Sequence, residues 1–207
     1  DTMRAHRDLG RTEVVVHGTL RSLGTGERPV LLRSSAGSPG AADWYGVQLR
    51  AGSADNVVDH TQVRHAYYAW QVETEDAVTF RSPKVLQNHG DGDGFMLSGP
   101  GTYRVLDGWI QGAHTGVRIN DGVRDGSPDG GRVDVEVLRT VFDRVAQYGI
   151  MAFASGDDTR VVLDHNTLYS GREYGIYVVK NRPEGTISVT NNVIVGTGQA
   201  PAARSRI

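Results

Sequence analysis

Short apolar runs separated by Gly, Asn and Asp follow one another along almost the whole chain. The clearest case lies between residues 147 and 198, where two blocks of 26 residues align almost without a gap. In this alignment Gly149 falls on Gly175, and Asn166 falls on Asn192. A fixed period of this size indicates a repeat protein. Because each block consists of β-branched runs bounded by turn residues, the repeating unit is predicted to be strand-turn-strand.

One signature, a small residue followed by an apolar, a variable and an apolar residue, recurs along the chain. It begins at Gly46, Ala69, Gly94, Gly116, Gly149 and Gly175. A second signature follows each of these and ends in a large apolar residue: Val63, Val85, Ile110, Phe142, Leu168 and Ile194. One coil cannot bury its apolar residues alone, but stacked coils bury a continuous column. Period-two alternation therefore predicts that the apolar positions of the first signature face the interior of about seven stacked coils.

Two polar columns share this register. The residue two places before the large apolar residue of the second signature is polar in four coils, as Thr61, Thr140, Asn166 and Asn192. Pro83 and Gly108 interrupt this column. Stacked amides or hydroxyls at a turn are predicted to hydrogen-bond to the next coil as an Asn ladder. The residue before the small one is tyrosine in Tyr45, Tyr68, Tyr148 and Tyr174. These rings are predicted to stack at a corner of the solenoid.

The recurring N-x-I/L and Y-G-I elements resemble the right-handed parallel β-helix repeat family, the pectate-lyase-like superfamily. The resemblance covers roughly residues 12–198, and residues 18–49 look like the opening coil of bacterial secreted or surface β-helix proteins. It implies an all-β fold, a single-stranded right-handed parallel β-helix of about seven coils, in a secreted, cell-surface or periplasmic protein. Residues 1–11 are then a lead-in or cap remnant, and residues 199–207 a C-terminal tail. A β-propeller or sandwich is the alternative, but it requires longer units or regularly spaced hairpin turns.

Composition and charge limit the classes of partner that the protein is expected to have. The formal net charge of −2 gives no basis for binding nucleic acid through bulk positive charge. The chain has no apolar run near the roughly 18–20 residues of a transmembrane helix. Absence of cysteine fits an exported protein stabilised without disulfides and is equally compatible with a cytosolic protein. Open solenoid ends carry unpaired strand edges, so further chain or another subunit is expected to cover at least one end.

The first strand of each coil is predicted to present two outward rows. One row holds Gln48, Gln71, Met96, Arg118, Met151 and Tyr177, and the other Arg50, Glu73, Ser98, Asn120, Phe153 and Val179. In enzymes that this fold resembles, the polysaccharide groove runs along this sheet. Amides and aromatic rings suit sugars, whose hydroxyls bond polar edges and whose C–H surfaces stack on rings. The predicted substrate-binding residues are therefore Gln48, Gln71, Met96, Asn120, Met151, Tyr177, Lys180 and Arg182. A plain solvated sheet face is the alternative.

The most polar segment of the chain is Asn88 to Asp93, with His114 and Arg118 about one coil later. Carboxylates and imidazoles on adjacent coils could perform acid/base chemistry or bind a divalent ion such as Ca²⁺, although no cofactor is required. The candidate catalytic residues are His89, Asp91, Asp93, His114 and Arg118. The alternative is an ordinary turn, in which Asp bonds its own backbone and Gly supplies a positive φ.

Other resemblances to catalytic motifs are partial. Asp59-His60 and Asp164-His165 look like the D-H pair of the pectate lyase WIDH motif, but their repetition indicates a structural position. Lys180 and Arg182 could supply the base and the cation that a uronate lyase needs. They match only a fragment of the Arg-Pro-x-x-Arg pattern, and the polygalacturonase motif set is absent.

Two functions follow from these residues. The first is an extracellular module that presents an elongated surface to polysaccharide or to cell-envelope components. The second is a polysaccharide lyase or uronate epimerase that abstracts a proton in a groove along the first sheet, roofed by the insertion at residues 120–131. The absence of an intact catalytic motif favours the binding module, and a purely architectural role is the third alternative.

Overall fold

The chain forms a right-handed parallel β-helix of about seven coils, as the repeat and the family resemblance predict. A computed structural model describes residues 10–86, 92–120, 133–154, 158–169, 173–180 and 185–196. Each coil contributes one strand to each of three seven-stranded sheets, and every pairing between named strands is parallel. Residues at one register position therefore lie one above another along the whole solenoid.

The three sheets are wound in chain order. The first sheet contains β1 (Glu13–Val16), β4 (Gly46–Leu49), β7 (Trp70–Val72), β10 (Phe95–Ser98), β13 (Thr115–Asn120), β16 (Tyr148–Ala154) and β19 (Tyr174–Lys180). The second contains β2 (Arg21–Leu23), β5 (Val57–Asp59), β8 (Val78–Arg81), β11 (Thr102–Leu106), β14 (Asp134–Leu138), β17 (Arg160–Asp164) and β20 (Thr186–Thr190). The third contains β3 (Val30–Leu32), β6 (Thr61–Arg64), β9 (Lys84–Leu86), β12 (Trp109–Gln111), β15 (Val141–Asp143), β18 (Thr167–Tyr169) and β21 (Val193–Val195).

The interior is built from the positions that the alternation predicts. Five of the six predicted pairs on the first sheet are almost fully buried: Val47 and Leu49, Trp70 and Val72, Phe95 and Leu97, Val117 and Ile119, Ile150 and Ala152. The last pair, Ile176 and Val178, is only partly buried. The anchor Ile194 is 46% exposed, although its counterparts in earlier coils are buried. The burial of the interior side chains therefore decreases at the C-terminal end, where no described coil follows.

The small residue of the first signature is a steric requirement. A Cβ atom at Gly116 would lie 2.4 Å from Cδ1 of Phe142, and one at Gly149 would lie 2.3 Å from Cδ2 of Leu168. Phe142 and Leu168 are the large apolar anchors of the third sheet in the same coils. The two signatures therefore mark the two partners of one contact. The large anchor on the third sheet fills the space that a side chain on the small residue of the first sheet would occupy.

A left-handed turn joins the second and third sheets in successive coils. Its positive-φ residues are His60, Ser82, Asp107, Arg139, His165 and Asn191. The predicted Asn ladder follows it directly and is confirmed. Asn192 Oδ1 accepts a 2.9 Å bond from the Asn166 amide, and Asn166 Oδ1 accepts a 2.9 Å bond from the Thr140 amide. Asn166 Nδ2 also donates to the Val137 carbonyl at 2.8 Å, so one buried side chain satisfies two backbone groups.

The sequence predicts a repeating unit of two strands, and this prediction omits the strand that each coil contributes to the second sheet. Each coil has three strands, and the additional one lies between the two signatures, as β11 and β14 do. Its inward residues, such as Val105 and Val137, are fully buried. Its outward residues pair by charge instead, as Arg104 does with Glu136 at 3.0 Å. The strand was missed because no small residue marks its start.

Both ends of the described solenoid expose apolar side chains. At one end lie Val189, Val193, Ile194 and Val195, and at the other Val14, Leu23 and Leu31. A cavity of about 440 Å³, lined mainly by Val14, Leu20, Leu32 and Val47, opens at the N-terminal end. The expectation that further chain or another subunit covers an end stays a prediction.

Replacing Asn166 by Ala tests the ladder. The substitution removes an acceptor from the Thr140 amide and a donor from the Val137 carbonyl, both inside the protein. We expect the free energy of unfolding to fall by about 2–4 kcal/mol, because two backbone groups are left unsatisfied. Denaturant titration measures this. Ser188→Ala, at an exposed position of β20, is the control and should change stability by no more than about 0.5 kcal/mol. Equal stability of the two variants would contradict the ladder.

Candidate functional site

The outward rows of the first sheet have the predicted register. Gln48 pairs with Gln71, Gln71 with Met96 and Met96 with Arg118. The row continues through Met151 to Tyr177. Of the other predicted site residues, His89, Asp91 and Arg182 lie outside the described residues, as does the insertion beyond Asn120.

Asp93 and Arg118, both candidate catalytic residues, form a two-point ion pair between neighbouring coils. Arg118 Nε donates to Asp93 Oδ2 at 2.6 Å, and Arg118 Nη2 lies 3.3 Å from Asp93 Oδ1. The Asp93 side chain is only 3% exposed and that of Arg118 is 22% exposed. Burial acts to lower the pKa of Arg118, but the hydrogen bond and the charge of Asp93 outweigh it, so this pKa is raised. Both oxygens of Asp93 are engaged and shielded, which makes it a poor base for a bound ligand.

His114 belongs to the same cluster through Thr115. Thr115 Oγ1 lies 3.4 Å from Arg118 Nη2 and 3.5 Å from His114 Nδ1. The His114 backbone amide donates to the Gly92 carbonyl at 2.8 Å. The three described candidate catalytic residues are therefore linked in a chain of contacts, from Asp93 to Arg118, from Arg118 to the buried Thr115 hydroxyl, and from that hydroxyl to His114. Sequence reasoning missed Thr115, although its position in register with Tyr148 marks it as part of the tyrosine column.

The predicted tyrosine column is confirmed at both ends of the sheet. Tyr45 and Tyr68 meet edge to face with ring centroids 5.6 Å apart. Tyr148 and Tyr174 stack at 5.6 Å with nearly parallel planes. Asp93 and Thr115 occupy the two positions between. Burial, followed by the neighbouring Tyr67 and the charge of Asp93, raises the pKa of Tyr68 to about 12.

In the N-terminal half of this outer face, the outward side chains of the first row are buried. Gln48 is 1% exposed and Gln71 is 2% exposed, although both point away from the interior. Gln71 Nε2 donates to the Tyr45 hydroxyl at 3.3 Å, and Gln48 Nε2 donates to a carboxylate oxygen of Glu13. These amides are therefore hydrogen-bonded inside the protein, and their side chains do not form part of an open surface.

The C-terminal half of the same face is aromatic. Four rings, Tyr148, Phe153, Tyr174 and Tyr177, form what we call the aromatic patch. The Tyr177 centroid lies 5.4 Å from those of Tyr148 and Tyr174 and 6.5 Å from that of Phe153. All four side chains are partly exposed, and Met151, in register with Tyr177 on the neighbouring strand, is nearly buried. Of the remaining predicted binding residues, Lys180 is exposed, while Asn120 and Met96 are partly exposed.

The two Asp-His pairs lie elsewhere, at the left-handed turn between the second and third sheets. His165 Nδ1 lies 2.7 Å from Asp164 Oδ2, and His60 Nδ1 lies 2.6 Å from Asp59 Oδ1. Their common register agrees with a structural position. Asp164 also accepts bonds from the Thr190 hydroxyl at 2.7 Å and from Asn191 Nδ2 at 3.0 Å. These bonds, that from Thr190 first and that from His165 next, lower the pKa of Asp164 to about 2.

Metal binding stays a prediction. Among the described residues, no group of three or more His, Asp or Glu side chains is placed to hold a metal ion. The segment that carries His89 and Asp91 is outside this part of the chain.

Comparison with known proteins supplies no function. The chain matches no protein-family model, no curated protein and no solved structure. No helix in the described part of the chain is long and apolar enough to cross a membrane. Function must therefore be inferred from the surfaces that the coils present.

Replacing Thr190 by Val tests the hydrogen bonds to Asp164. A carboxyl group whose folded-state pKa is depressed stabilises the fold above its unfolded pKa, and this contribution disappears as the pH falls from about 4 to about 2. Removing the Thr190 hydroxyl should raise the pKa of Asp164 toward 3.8, which carboxyl NMR titration measures. Asp134, whose carboxylate binds Arg160 instead, serves as the internal control. An unchanged Asp164 titration would contradict these contacts.

Replacing Asp93 by Asn tests whether its pair with Arg118 supports the fold. Because the carboxylate is buried and Arg118 loses its counterion, we expect the free energy of unfolding to fall by about 2–4 kcal/mol. The matched control is Arg139→Ala. It breaks a similar two-point pair with Asp107 that is exposed at the turn and screened by solvent, and should cost clearly less stability than Asp93→Asn. Equal losses in denaturant titrations would show that burial does not distinguish the pairs.

Proposed function

We propose that this protein is an extracellular β-helix module that binds polysaccharide along the outer face of its first sheet. The aromatic patch carries the proposal. Its four partly exposed rings contact one another, so they are held in place before any ligand arrives. Preformed aromatic surfaces suit the C–H faces of sugar rings and cost little entropy on binding.

Polar groups border the patch on the sides where sugar hydroxyls would lie. Asn120 is in register with Phe153, and Lys180 is the last residue of β19. Gln147 Nε2 donates to both oxygens of Glu173 at 3.1 Å beside the stacked tyrosines. Rings with hydrogen-bonding groups at their margin are the usual composition of a carbohydrate site.

The shape of the face favours a polymer over a small molecule. Adjacent coils are about 4.8 Å apart, so the rows from β13 to β19 extend about 10 Å along the axis. The cavity of about 440 Å³ lies at the other end of the solenoid, among residues of the first coils. Among the described residues the four rings form a partly exposed surface, on which a polymer chain could lie along the solenoid axis.

The second candidate function is a polysaccharide lyase or uronate epimerase. The clustering of Asp93, His114 and Arg118 favours it, because proton abstraction beside a carboxylate needs a base and a nearby cation. Because Arg118 engages Asp93, His114 is the more accessible of the two possible bases. Ultraviolet absorbance of the unsaturated product, followed with and without Ca²⁺, distinguishes a lyase from a binding module. A rise abolished by His114→Ala would establish the lyase.

Affinity electrophoresis tests the binding module directly. The protein is run through gels that contain uronate polymers, xylans or glucans, and its retardation is compared with that of Tyr177→Ala. Loss of the central ring of the patch should weaken binding by about tenfold. Arg104→Ala, exposed on the second sheet, is the control and should be retarded like the parent protein. Melting curves confirm that each variant is folded. No retardation in any gel, or equal retardation of Tyr177→Ala, would overturn the proposal.

A further inference from the structure

The first and last described coils form the two ends of the solenoid. β1, β2 and β3 are the edge strands of the three sheets at one end, and β19, β20 and β21 are the edge strands at the other. An edge strand presents backbone N–H and C=O groups that a further strand can bind. Because all three sheets are parallel, each end offers one side of the coil-to-coil interface that repeats inside the protein.

Most of the large apolar side chains that are exposed in the described part of the chain lie in these two coils. They are Val14, Leu23 and Leu31 at one end, and Val189, Val193, Ile194 and Val195 at the other. Val14 is 40% exposed, whereas Val47, in register with it, is 1% exposed. Val189 is 46% exposed, whereas Leu163, in register with it, is fully buried. Each end therefore shows side chains that the other coils bury.

The edge strands of the third sheet lack the polar residues that protect most sheet edges. β3 is Val-Leu-Leu and β21 is Val-Ile-Val, so both are apolar on their inward and outward faces. Each of the five strands between them contains at least one polar or charged residue, such as Lys84 in β9 or Asp143 in β15. Natural proteins place charges or proline on exposed edges to prevent pairing. Two apolar edge strands therefore indicate edges that pair.

The two ends also match one another position by position. The register of the strands, followed coil by coil, places apolar residues of the first coil in line with apolar residues of the last: Val14 with Ile176, Leu32 with Ile194, and Leu31 with Val193. A first coil stacked on a last coil would therefore bring apolar side chains together on both the inner and the outer face.

Polar residues do not oppose this stacking. Ser22 lies in the column of Val189, and its hydroxyl already bonds that of Thr61 at 2.7 Å. Arg21 lies in the column of Ser188, so no like charge meets it. The cavity of about 440 Å³ at the N-terminal end is lined mainly by apolar side chains, among them Leu32. It would receive the apolar side chains of a last coil.

A second copy of the chain is the partner that matches these features together. A single peptide strand would extend one sheet and leave the edges of the other two uncovered. A carbohydrate chain does not supply the alternating N–H and C=O groups of a strand. A coil with the same three-strand cross-section covers all three edges at once, and the last coil of this chain has that cross-section.

We propose that copies of this chain associate head to tail, with the first coil of one copy stacked on the last coil of the next, so that the three sheets continue across the junction. Because different surfaces of the two copies meet, the contact is heterologous and leaves one free end of each kind. Further copies therefore add in a row. The junction does not involve the outward rings of the aromatic patch, so it does not depend on the function proposed for the first sheet.

Gel filtration with light scattering measures this association. We expect the molar mass of the intact protein to rise with protein concentration, in multiples of 22.4 kDa. Val14→Lys and Val189→Lys each place a charge in the apolar junction, at opposite ends of the solenoid. Each variant alone should associate at least about a hundredfold more weakly than the parent protein.

Trp109→Lys is the matched control. Trp109 is 44% exposed on β12 in the middle of the third sheet, and it pairs in register with Lys84, so its column already accepts a lysine. This variant should associate like the parent protein. Melting curves establish that each variant is folded, and the concentration dependence of the parent protein does not rely on any variant.

Mixing the two blocked variants tests the head-to-tail geometry. Val14→Lys keeps an unchanged C-terminal end, and Val189→Lys keeps an unchanged N-terminal end. An equimolar mixture should therefore form a dimer and nothing larger, although each variant alone stays monomeric at the same concentration.

Three outcomes would overturn the proposal. In the first, the parent protein stays a single chain at every concentration, which would indicate that further chain or another protein covers the ends. In the second, at least one blocked variant associates as the parent does, which would place the contact elsewhere or between like ends. In the third, the mixture forms no dimer. Neither substitution changes a ring of the aromatic patch, so retardation in polysaccharide gels is measured independently and the two proposals fail separately.

Discussion

The stacking of one coil on the next is the constraint on which the structure depends. A single coil has too little apolar surface to bury itself, so each buries its interior residues against its neighbours. Phe95 and Ile119 are fully buried in the middle of the solenoid, whereas Ile194 in the last described coil is half exposed. Within each coil, the anchors Phe142 and Leu168 fill the space beside Gly116 and Gly149 and pack the third sheet against the first. The Asn ladder fixes one corner.

Because the coils stack in a fixed register, residues at equivalent positions in the sequence form continuous rows on the surface. Every outward residue of the first sheet lies above its counterpart in the preceding coil, so similar residues at one position make a continuous surface. In the N-terminal coils this row consists of buried amides, of which Gln71 is held by Tyr45. In the C-terminal coils the same row passes through Tyr177 and its neighbouring rings. One sheet therefore has a closed half and an open aromatic half, with the pair of Asp93 and Arg118 between them.

Much of this fold follows from the sequence, because stacking requires the same residue types at a fixed interval. The interior residues, the ladder and the tyrosine column all obey that rule. The second sheet does not, since its outward positions pair by charge and no small residue marks its strands. Alternation also predicts the direction of a side chain but not what covers it, so the burial of Gln48 was not foreseen. Thr115 was missed because a threonine at this position departs from the tyrosines of its column.

We propose that the fixed rows on the first sheet make its C-terminal outer face a polysaccharide-binding surface. Backbone amide chemical-shift mapping with an oligosaccharide from a polymer that retards the protein tests it most directly. We expect the largest shifts in Thr115–Asn120, Tyr148–Ala154 and Tyr174–Lys180, with little change in Gly46–Leu49. Shifts concentrated in the closed half, or spread over the second sheet, would contradict it.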